Sequence, residues 1–182
     1  MELLERYKPE DGDYNENLRV QQLLDMARGI HDRSPRPPEE VVRELGHYAQ
    51  YNGDSHGVFH IVRDPNSYVA LTHTAWFEHS LQFNALAVSP DYRGHGIAHR
   101  LIYTLARVAI ERDIDDVWVY AMRNSHASKV YARLGMTVPP QDDERHVLHG
   151  RYYPMSASPY AIVEASTSIL PFEIVGHLPR GV

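Results

Sequence analysis

Apolar residues recur along the first part of the chain at spacings that predict one strand and two helices. A short strand is predicted at Leu3 to Tyr7, before Pro9 and the turn residues that follow it. Helices are predicted from Leu18 to Ile30 and from Pro38 to about Gln50, because apolar side chains recur there every three or four residues. Proline at the first position of the second helix fits its preference for a helix start.

Three strands and a long helix are predicted in the middle of the chain. The strands span Gly57 to Val62, Tyr68 to Thr74 and about Leu81 to Val88, and turn residues separate the first two. Pro90 ends the third strand, because proline has no N–H for a sheet ladder. From Ile97 to about Arg112 the apolar residues follow the helical period, which predicts one amphipathic helix.

The last part of the chain is predicted to hold three strands, a short helix and a tail. Val117 to Met122 is apolar on both faces, as in a buried central strand, and Ser125 is a suitable N-cap for the helix after it. Further strands are predicted at about Arg145 to Tyr153 and Tyr160 to Ala165. The tail from Thr167 to Val182 is compatible with a last strand, a dimer arm or coil.

Composition favours one globular domain spanning residues 1–182. The chain has 182 residues, of which 43% are hydrophobic and 23% charged, and these values exclude a disordered, collagen-like or coiled-coil chain. The formal net charge of −6 argues against a nucleic-acid partner, since such binding needs a cationic surface. The chain has no cysteine, which excludes disulfides, cysteine metal ligands and cysteine nucleophiles.

The start of the chain has no apolar stretch typical of a signal peptide, and no window has the roughly 18 apolar residues that a spanning helix needs. We therefore expect a cytoplasmic protein with no membrane partner.

The junction between the third strand and the long helix predicts an anion site. Gly94 and Gly96 lie in a turn immediately before the helix, and Arg93 adds a positive charge at its rim. The first amides of a helix lack internal partners and point outward, so small residues there let a phosphate approach the backbone. The spacing differs from those of the Rossmann fingerprint and the Walker A loop.

Two motifs in this region resemble those of the GNAT superfamily of N-acetyltransferases. The acyl-CoA loop of that family has the pattern Arg/Gln-x-x-Gly-x-Gly/Ala, and a second motif with Asn, Ala, Tyr and Gly follows the next strand. The residues that match are Arg93, Gly96 and Ala98 in the first motif, and Asn124, Ala127, Tyr131 and Gly135 in the second. Both motifs occur in order, separated by the long helix and the buried strand, within residues 81–136.

The resemblance implies an α/β (α+β) fold with a mixed, mostly antiparallel central sheet of about seven strands, flanked by about four helices and splayed at the acyl-CoA site. It also implies a cofactor site for acetyl-CoA. The residues it places there are Leu86, Ala87 and Val88 for the pantetheine arm, Arg93, Gly94, His95, Gly96, Ile97 and Ala98 for the pyrophosphate, and Asn124 and Ala127 in the second motif. At the adenine end, Arg100 and Lys129 are expected to help.

The resemblance also suggests catalytic groups. Acetyl transfer needs a neutral amine, a donor for the developing oxyanion and a good leaving group. A backbone N–H near Ala87 or Val88 is the expected oxyanion donor. Tyr131 falls where the family places a tyrosine near the thioester sulfur, and a phenol there can protonate the thiolate. The alternative is a core tyrosine that packs beside Leu134.

The general base is left open by the sequence. Gln82 and Asn84 alternate with Leu86 on the strand before the loop; they are expected on the substrate side, but amides are not bases at neutral pH. Glu78 and His79 are equal candidates on the preceding turn, with His73 a further one on the preceding strand. For both turn residues, however, the sequence favours the simpler interpretation of solvated residues in a hairpin turn. A water chain, or an amine that arrives neutral, would also serve.

No metal site is inferred from the 12 histidines. His95 and His99 lie one helical turn apart, but the residues between them lack the glutamate of a zinc-protease helix. His146 and His149 have no nearby partner pattern, and His56 and His60 lie too far apart on a strand to share one ion.

The function expected from the resemblance is transfer of an acetyl or larger acyl group from acyl-CoA to a primary amine, by direct attack in a ternary complex. The acceptor is a small molecule or a peptide amine, and a homodimer through the last strand and tail is a further expectation. The alternative is a catalytically inactive CoA-binding sensor or scaffold module. Acyl transfer to a hydroxyl is a third option.

Overall fold

A seven-stranded mixed sheet is the centre of the computed structural model, which describes residues 3–29, 36–49, 56–65, 67–139 and 152–175. The strands in these ranges are β1 (Leu3–Tyr7), β2 (His56–Asp64), β3 (Ser67–Trp76), β4 (Ser80–Val88), β5 (Asp116–Met122), β6 (Tyr152–Ala157) and β7 (Glu173–Val175). The helices are α1 (Tyr14–Ala27), α2 (Pro38–Ala49), α3 (Ile97–Ile110), α4 (His126–Arg133) and α5 (Pro159–Glu164), with a 3-10 turn at Pro90–Tyr92.

The strand order across the sheet is β6-β5-β4-β3-β2-β1-β7. Strands β4 and β5 pair in parallel, as do β1 and β7, and every other neighbouring pair in this order is antiparallel. This topology confirms the predicted mixed, mostly antiparallel fold. No helix in the described ranges is long and apolar enough to cross a membrane.

Two hydrophobic clusters cover the two faces of the sheet. The larger joins α3 and α5 to one face, and Leu81, Leu101 and Leu105 are fully buried within it. The smaller joins α1 and α2 to the other face, where Leu24 and Leu45 have no exposed surface. The amphipathic spacing predicted for α1, α2 and α3 therefore marks the faces that these helices bury.

The predicted start of α1 was four residues too late. The Asp13 carboxylate accepts a hydrogen bond from the Glu16 backbone N–H at 2.9 Å, and the Glu16 carboxylate accepts one from the Asp13 N–H at 3.2 Å. This capping box begins the helix at Tyr14. Gly29, with φ of +70°, follows its C-terminus.

The strand predicted at Tyr160 to Ala165 is wrong, because Pro159–Glu164 is helix α5. The Ser158 hydroxyl accepts a hydrogen bond from the Ala161 N–H at 3.2 Å, and Pro159 occupies the first turn. The strand before this helix spans Tyr152–Ala157 and overlaps the end of the strand predicted at about Arg145 to Tyr153. Residues 145–151 of that prediction lie outside the described residues. In the tail, Glu173–Val175 pairs with β1, and the residues from 176 onward also lie outside the described ranges.

Candidate functional site

A bulge in β4 separates this strand from β5. His73 lies opposite Ala85 and Thr74 lies opposite Phe83, so Asn84 is an extra residue in β4 with no residue directly opposite it in the register of β3. The Thr72 hydroxyl donates to the Ala85 carbonyl at 2.6 Å, and the Asn84 amide nitrogen lies 3.3 Å from His73 Nδ1. Parallel pairing with β5 covers residues 80–83 and stops at the bulge, so the rest of β4 has an open edge.

The open edge of β4 borders a cleft of about 450 Å³. Its walls come from the end of α1, the last residues of β4, the glycine turn, the start of α3, and α4. The lining residues are Met26, Ala27, Leu86, Ala87, Val88, Tyr92, Arg93, Gly94, Gly96, Ile97, Ala98, His99, His126, Ala127, Val130, Tyr131 and Arg133.

The glycine turn presents exposed backbone to this cleft. Gly94 and Gly96 adopt φ of +82° and +76°, a region that costs other residues strain. A Cβ built on either glycine would meet no protein atom within 4 Å. Gly96 is the N-cap of α3 and offers no side chain to the first amides of the helix, so those N–H groups are available to an anion.

The 3-10 turn before the glycines is tied to the hairpin between β2 and β3. The Tyr92 hydroxyl donates to the Asp64 carboxylate at 2.6 Å and accepts from the Ser67 hydroxyl at 3.1 Å. These bonds position the turn against the sheet and therefore support the start of α3.

Arg93 reaches from the turn across to β4 and α1. Its Nε donates to the Val88 carbonyl at 3.1 Å, and Nη2 lies 3.1 Å from Met26 Sδ. The guanidinium therefore lies beside the open end of β4.

Tyr131 faces the cleft from α4 and is only 5% exposed. Burial alone raises the pKa of its phenol to about 12. The hydroxyl therefore keeps its proton at neutral pH and is available as a proton donor. The helix that carries Tyr131 is capped as predicted, since the Ser125 hydroxyl accepts a hydrogen bond from the Ser128 N–H at 3.1 Å.

The described lining of the cleft is electropositive. Arg93 and Arg133 contribute fixed positive charge, while His99 and His126 lie on α3 and α4. No aspartate or glutamate is among the described lining residues. Burial, followed by the charges of Arg133 and His126, lowers the pKa of His99. The cleft therefore suits an anionic ligand, although the whole chain carries a net charge of −6.

Most of the predicted cofactor residues come together on the cleft. These are Leu86, Ala87, Val88, Arg93, Gly94, Gly96, Ile97, Ala98 and Ala127, and the predicted catalytic Tyr131 joins them. His95 and Asn124 are not in the lining. His95 is exposed, with Nδ1 3.3 Å from the Tyr92 carbonyl oxygen, and Asn124 has φ of +58° in the turn before α4.

The two candidates for the general base lie at the other end of β4. Glu78 and His79 occupy the turn that precedes this strand, whereas the cleft borders its last three residues. The side chains are 83% and 73% exposed, and His79 lies within 4 Å of Glu78 and of Asp115. The geometry therefore does not bring either group to the cleft.

The expected substrate-side residues Gln82 and Asn84 flank the start of the open edge of β4, but neither lines the cleft. At the proposed adenine end, Arg100 instead points to the C-terminal segment. Its Nη2 donates to the Pro171 carbonyl at 3.2 Å, and its guanidinium lies 4.0 Å from the centroid of the Phe172 ring. Lys129 is exposed and does not line the cleft either.

Sequence reasoning missed part of the lining. His126, Val130 and Arg133 occupy positions i, i+4 and i+7 of α4, so a helical projection would have placed them on one face with Tyr131 beside it. Met26 and Ala27 belong to α1, which is more than fifty residues away in the chain, and no local signal connects them to the cleft. Within the described ranges, no group of three or more histidine, aspartate or glutamate residues is arranged to hold a metal ion.

Comparisons with known proteins agree with this architecture. The family model described as "Acetyltransferase (GNAT) family" matches residues 20–136. No curated protein sequence matches this chain at a significant level.

Among solved structures, the chain resembles the PaiA N-acetyltransferase of Thermoplasma acidophilum in complex with coenzyme A, with 15% identity, a TM-score of 0.60, and coverage of 87% of this chain and 99% of that one. It also resembles the IAA acetyltransferase of Bacillus cereus, with 16% identity, a TM-score of 0.57, and coverage of 87% and 99%. The spermidine/spermine N-acetyltransferase SpeG of Vibrio cholerae has 14% identity and a TM-score of 0.61, with coverage of 91% and 99%. The family model spans more than half of the chain, and the protein therefore belongs to the GNAT acetyltransferase family.

Proposed function

We propose that this protein transfers an acetyl group from acetyl-CoA to a primary amine by direct attack in a ternary complex. The observation that carries the proposal is the cleft between the open edge of β4 and α4, which joins an anion-accepting helix start to a buried, protonated tyrosine. Family membership supports acetyl-CoA-dependent acyl transfer as the reaction class.

The cleft fits a long, polyanionic ligand such as coenzyme A. The amides at the start of α3 and the Arg93 guanidinium would hold the pyrophosphate, since a helix N-terminus stabilises a phosphate that can approach its backbone. Residues 86–88 of β4 would bind the pantetheine arm through backbone groups on the open edge. The absence of carboxylates from the described lining leaves this path free of charge repulsion.

The reaction needs few side chains from this cleft. Bound acetyl-CoA supplies a thioester carbonyl, whose carbon forms a bond to the amine nitrogen as its bond to sulfur breaks. Tyr131 would donate its proton to the departing thiolate, and a backbone N–H near Ala87 or Val88 would stabilise the oxygen that gains negative charge.

We assign no side chain as the base. A water molecule would accept the proton of the amine, or the amine would arrive neutral. Since neither Glu78 nor His79 reaches the cleft, we leave both out of the mechanism.

The acceptor is proposed to be a small-molecule or peptide amine, in the cytoplasm. One structural neighbour is named for spermidine and spermine, which are amines of this kind. Because the chain carries a net charge of −6, its long-range electrostatic field attracts such cationic acceptors weakly. A homodimer through the C-terminal region stays a prediction.

A second candidate function is a CoA-binding sensor or scaffold without catalysis. It is favoured by one observation: the two groups predicted as the base lie outside the cleft. Retention of Tyr131 on the cleft wall favours the enzyme.

Release of free CoA with a mixed amine panel tests the proposal. The protein has no cysteine, so a thiol-reactive dye reports only the CoA that the reaction liberates. We expect amine-dependent dye signal above the rate of thioester hydrolysis, and calorimetry should show CoA binding. CoA binding without amine-dependent release would favour the sensor, and the absence of both would reject the proposed function.

A further inference from the structure

A buried histidine and an exposed asparagine meet at the bulge of β4. Of the nine residues of β4, all of them described, only Asn84 is exposed. His73 on β3 is 1% exposed, and its Nδ1 lies 3.3 Å from the side-chain nitrogen of Asn84. Because an amide nitrogen donates hydrogen bonds and does not accept them, Nδ1 is the acceptor in this contact. Neither residue lines the cofactor cleft.

The surroundings of His73 hold its imidazole in place. The ring packs against Phe59 with 4.8 Å between the ring centroids, and Nε2 is buried. Phe59 belongs to the hydrophobic cluster that joins α1 and α2 to the sheet. An enclosed ring of this kind does not touch the acceptor amine as a base would, so any effect of His73 on the amine has to pass through Asn84.

The contact with His73 sets the orientation of the Asn84 amide. While the amide nitrogen donates to Nδ1, the carbonyl oxygen Oδ1 is left for another donor, and no described residue donates a hydrogen bond to it. Without the imidazole, the amide would present either its carbonyl or its NH₂ group to a ligand. Only the carbonyl orientation accepts a hydrogen bond from an amine N–H.

The direction of the proposed cofactor brings its acyl group towards Asn84. The pyrophosphate site is at the start of α3, and the open edge at residues 86–88 leads from there back along β4 towards the bulge. The thioester is at the end of the pantetheine arm that is far from the pyrophosphate. Asn84 is two residues beyond residue 86, or about 7 Å of extended strand. An amine that attacks the thioester would therefore come within reach of the Asn84 side chain.

We propose that the Asn84 carbonyl oxygen binds the acceptor amine and that His73 is the positioning residue that orients it. This inference rests on the proposed function, since it requires an amine at the open edge of β4. A neutral primary amine has two N–H groups, so one is held by Asn84 while the proton of the other passes to water. A hydroxyl has a single proton, and a bond to Asn84 would hold the proton that has to leave. The pair therefore selects amines over alcohols.

The test measures the KM of the amine and the KM of acetyl-CoA by CoA release, with spermidine and a short peptide with a free N-terminus as the amine probes. His73→Leu fills a similar volume but has no acceptor, whereas His73→Asn keeps an acceptor oxygen at the δ position. Loss of one neutral hydrogen bond predicts that the amine KM rises about fivefold in His73→Leu. The KM of acetyl-CoA and kcat should change little, and His73→Asn should restore most of the amine affinity.

An exposed substitution, Asn84→Ala, tests the same contact without altering the core. It should raise the amine KM by at least as much as His73→Leu does. Adding His73→Leu to Asn84→Ala should raise the amine KM no further, because His73 then has no amide to orient. A matched control is His60→Leu, which removes another fully buried histidine, from β2, whose Nε2 lies 2.9 Å from Thr74 Oγ1. This control should lower thermal stability and leave both KM values unchanged.

Thermal unfolding of every variant would verify that it folds. An unchanged amine KM in Asn84→Ala would overturn the inference, as would an equal increase in His73→Leu and His60→Leu. Additive effects in the double variant would also overturn it, since they would show that His73 acts independently of Asn84. If the wild type released no CoA with these probes or with any other amine of the panel, the proposed function would fail and the inference with it.

Discussion

The two halves of strand β4 have the same neighbour on one side and different surroundings on the other. Residues 80–83, the paired half, lie between β3 and β5, with Leu81 and Phe83 buried under α3. Residues 84–88, the splayed half, keep β3 as a partner but have no β5 pairing. There Leu86 and Val88 are only partly buried and line the cleft.

This difference separates stability from binding along a single strand. Beside the paired half, the Thr74 hydroxyl accepts a hydrogen bond from Trp76 Nε1 at 3.0 Å and lies 2.9 Å from His60 Nε2. Beside the splayed half, the polar groups of the turn and α4 face the cleft instead. We therefore expect changes near the first half to alter unfolding, and changes near the second to alter cofactor binding or turnover.

Tyr131→Phe should give the largest effect, and it should affect turnover rather than stability. The variant removes the hydroxyl that we propose as the proton donor, but it keeps the buried ring that packs in the core. Loss of a general acid predicts a decrease in kcat of roughly 10²-fold or more, with little change in the Kd of acetyl-CoA. Steady-state CoA release and calorimetry measure the two quantities. Unchanged kcat would leave Tyr131 a core residue only.

Lowering the pH should destabilise the protein by favouring protonation of His60, which lies 2.9 Å from Thr74 beside the paired half of β4. This side chain is fully buried, and burial is the main reason why its pKa falls to about 3. In the unfolded chain His60 takes up a proton near the ordinary histidine pKa of about 6.5. The stability that the buried, neutral His60 contributes is therefore complete above pH 6.5 and declines as the pH falls towards 3. The expected loss is about 1.4 kcal/mol per pH unit within that window.

Urea unfolding of the wild type and His60→Gln, at pH 6.5 and pH 4.5, isolates this contribution. The variant should lose less stability than the wild type between the two pH values, because glutamine does not titrate. Identical losses in the two proteins would show that His60 does not set this dependence. CoA affinity at pH 6.5 should be unchanged, since His60 lies away from the cleft.

Two threonines two residues apart on β3 offer a direct comparison of the halves. Thr74→Val leaves the Trp76 N–H and His60 without their shared partner and should cost about 2 kcal/mol, with CoA affinity preserved. Thr72→Val removes the bond to the Ala85 carbonyl at the bulge and should cost about 1 kcal/mol. Only the Thr72 variant should also weaken CoA binding, because it loosens the splayed half. Equal CoA affinity in the two variants would contradict the role of the bulge.

The sequence predicted the local parts of this arrangement well. Long amphipathic α3 and the glycine turn are encoded by contiguous residues, so their period and turn chemistry could be recognised directly. The bulge at Asn84 could not, because it depends on which residues of β3 lie opposite β4. The same limit hid His126 and Arg133, which join the cleft lining only because the fold places α4 beside the start of α3.

The error at Tyr160 to Ala165 has a different physical origin. A short apolar run fits either a strand or a buried helix, and periodicity alone does not distinguish them. The residues that favour the helix are Ser158, an N-cap, and Pro159, a residue that starts helices. The Ser158 hydroxyl accepts a hydrogen bond from the Ala161 N–H and thereby holds the first turn.

The smallest expected effect compares two glycines with similar backbone conformation. Gly96 and Gly135 have φ of +76° and +79°, so alanine at either position should cost about 1 kcal/mol of stability. A methyl group on Gly135 would make only ordinary contacts, the nearest 3.6 Å from the Ala161 carbonyl oxygen. One on Gly96 would meet no protein atom within 4 Å, but Gly96 lines the cleft at the start of α3. Gly96→Ala should therefore weaken CoA binding as well, whereas Gly135→Ala should not. Calorimetry measures the CoA affinity of each variant, and thermal unfolding measures its stability. A similar loss of affinity in both variants would mean that backbone strain, rather than approach of the phosphate to the glycine turn, limits cofactor binding.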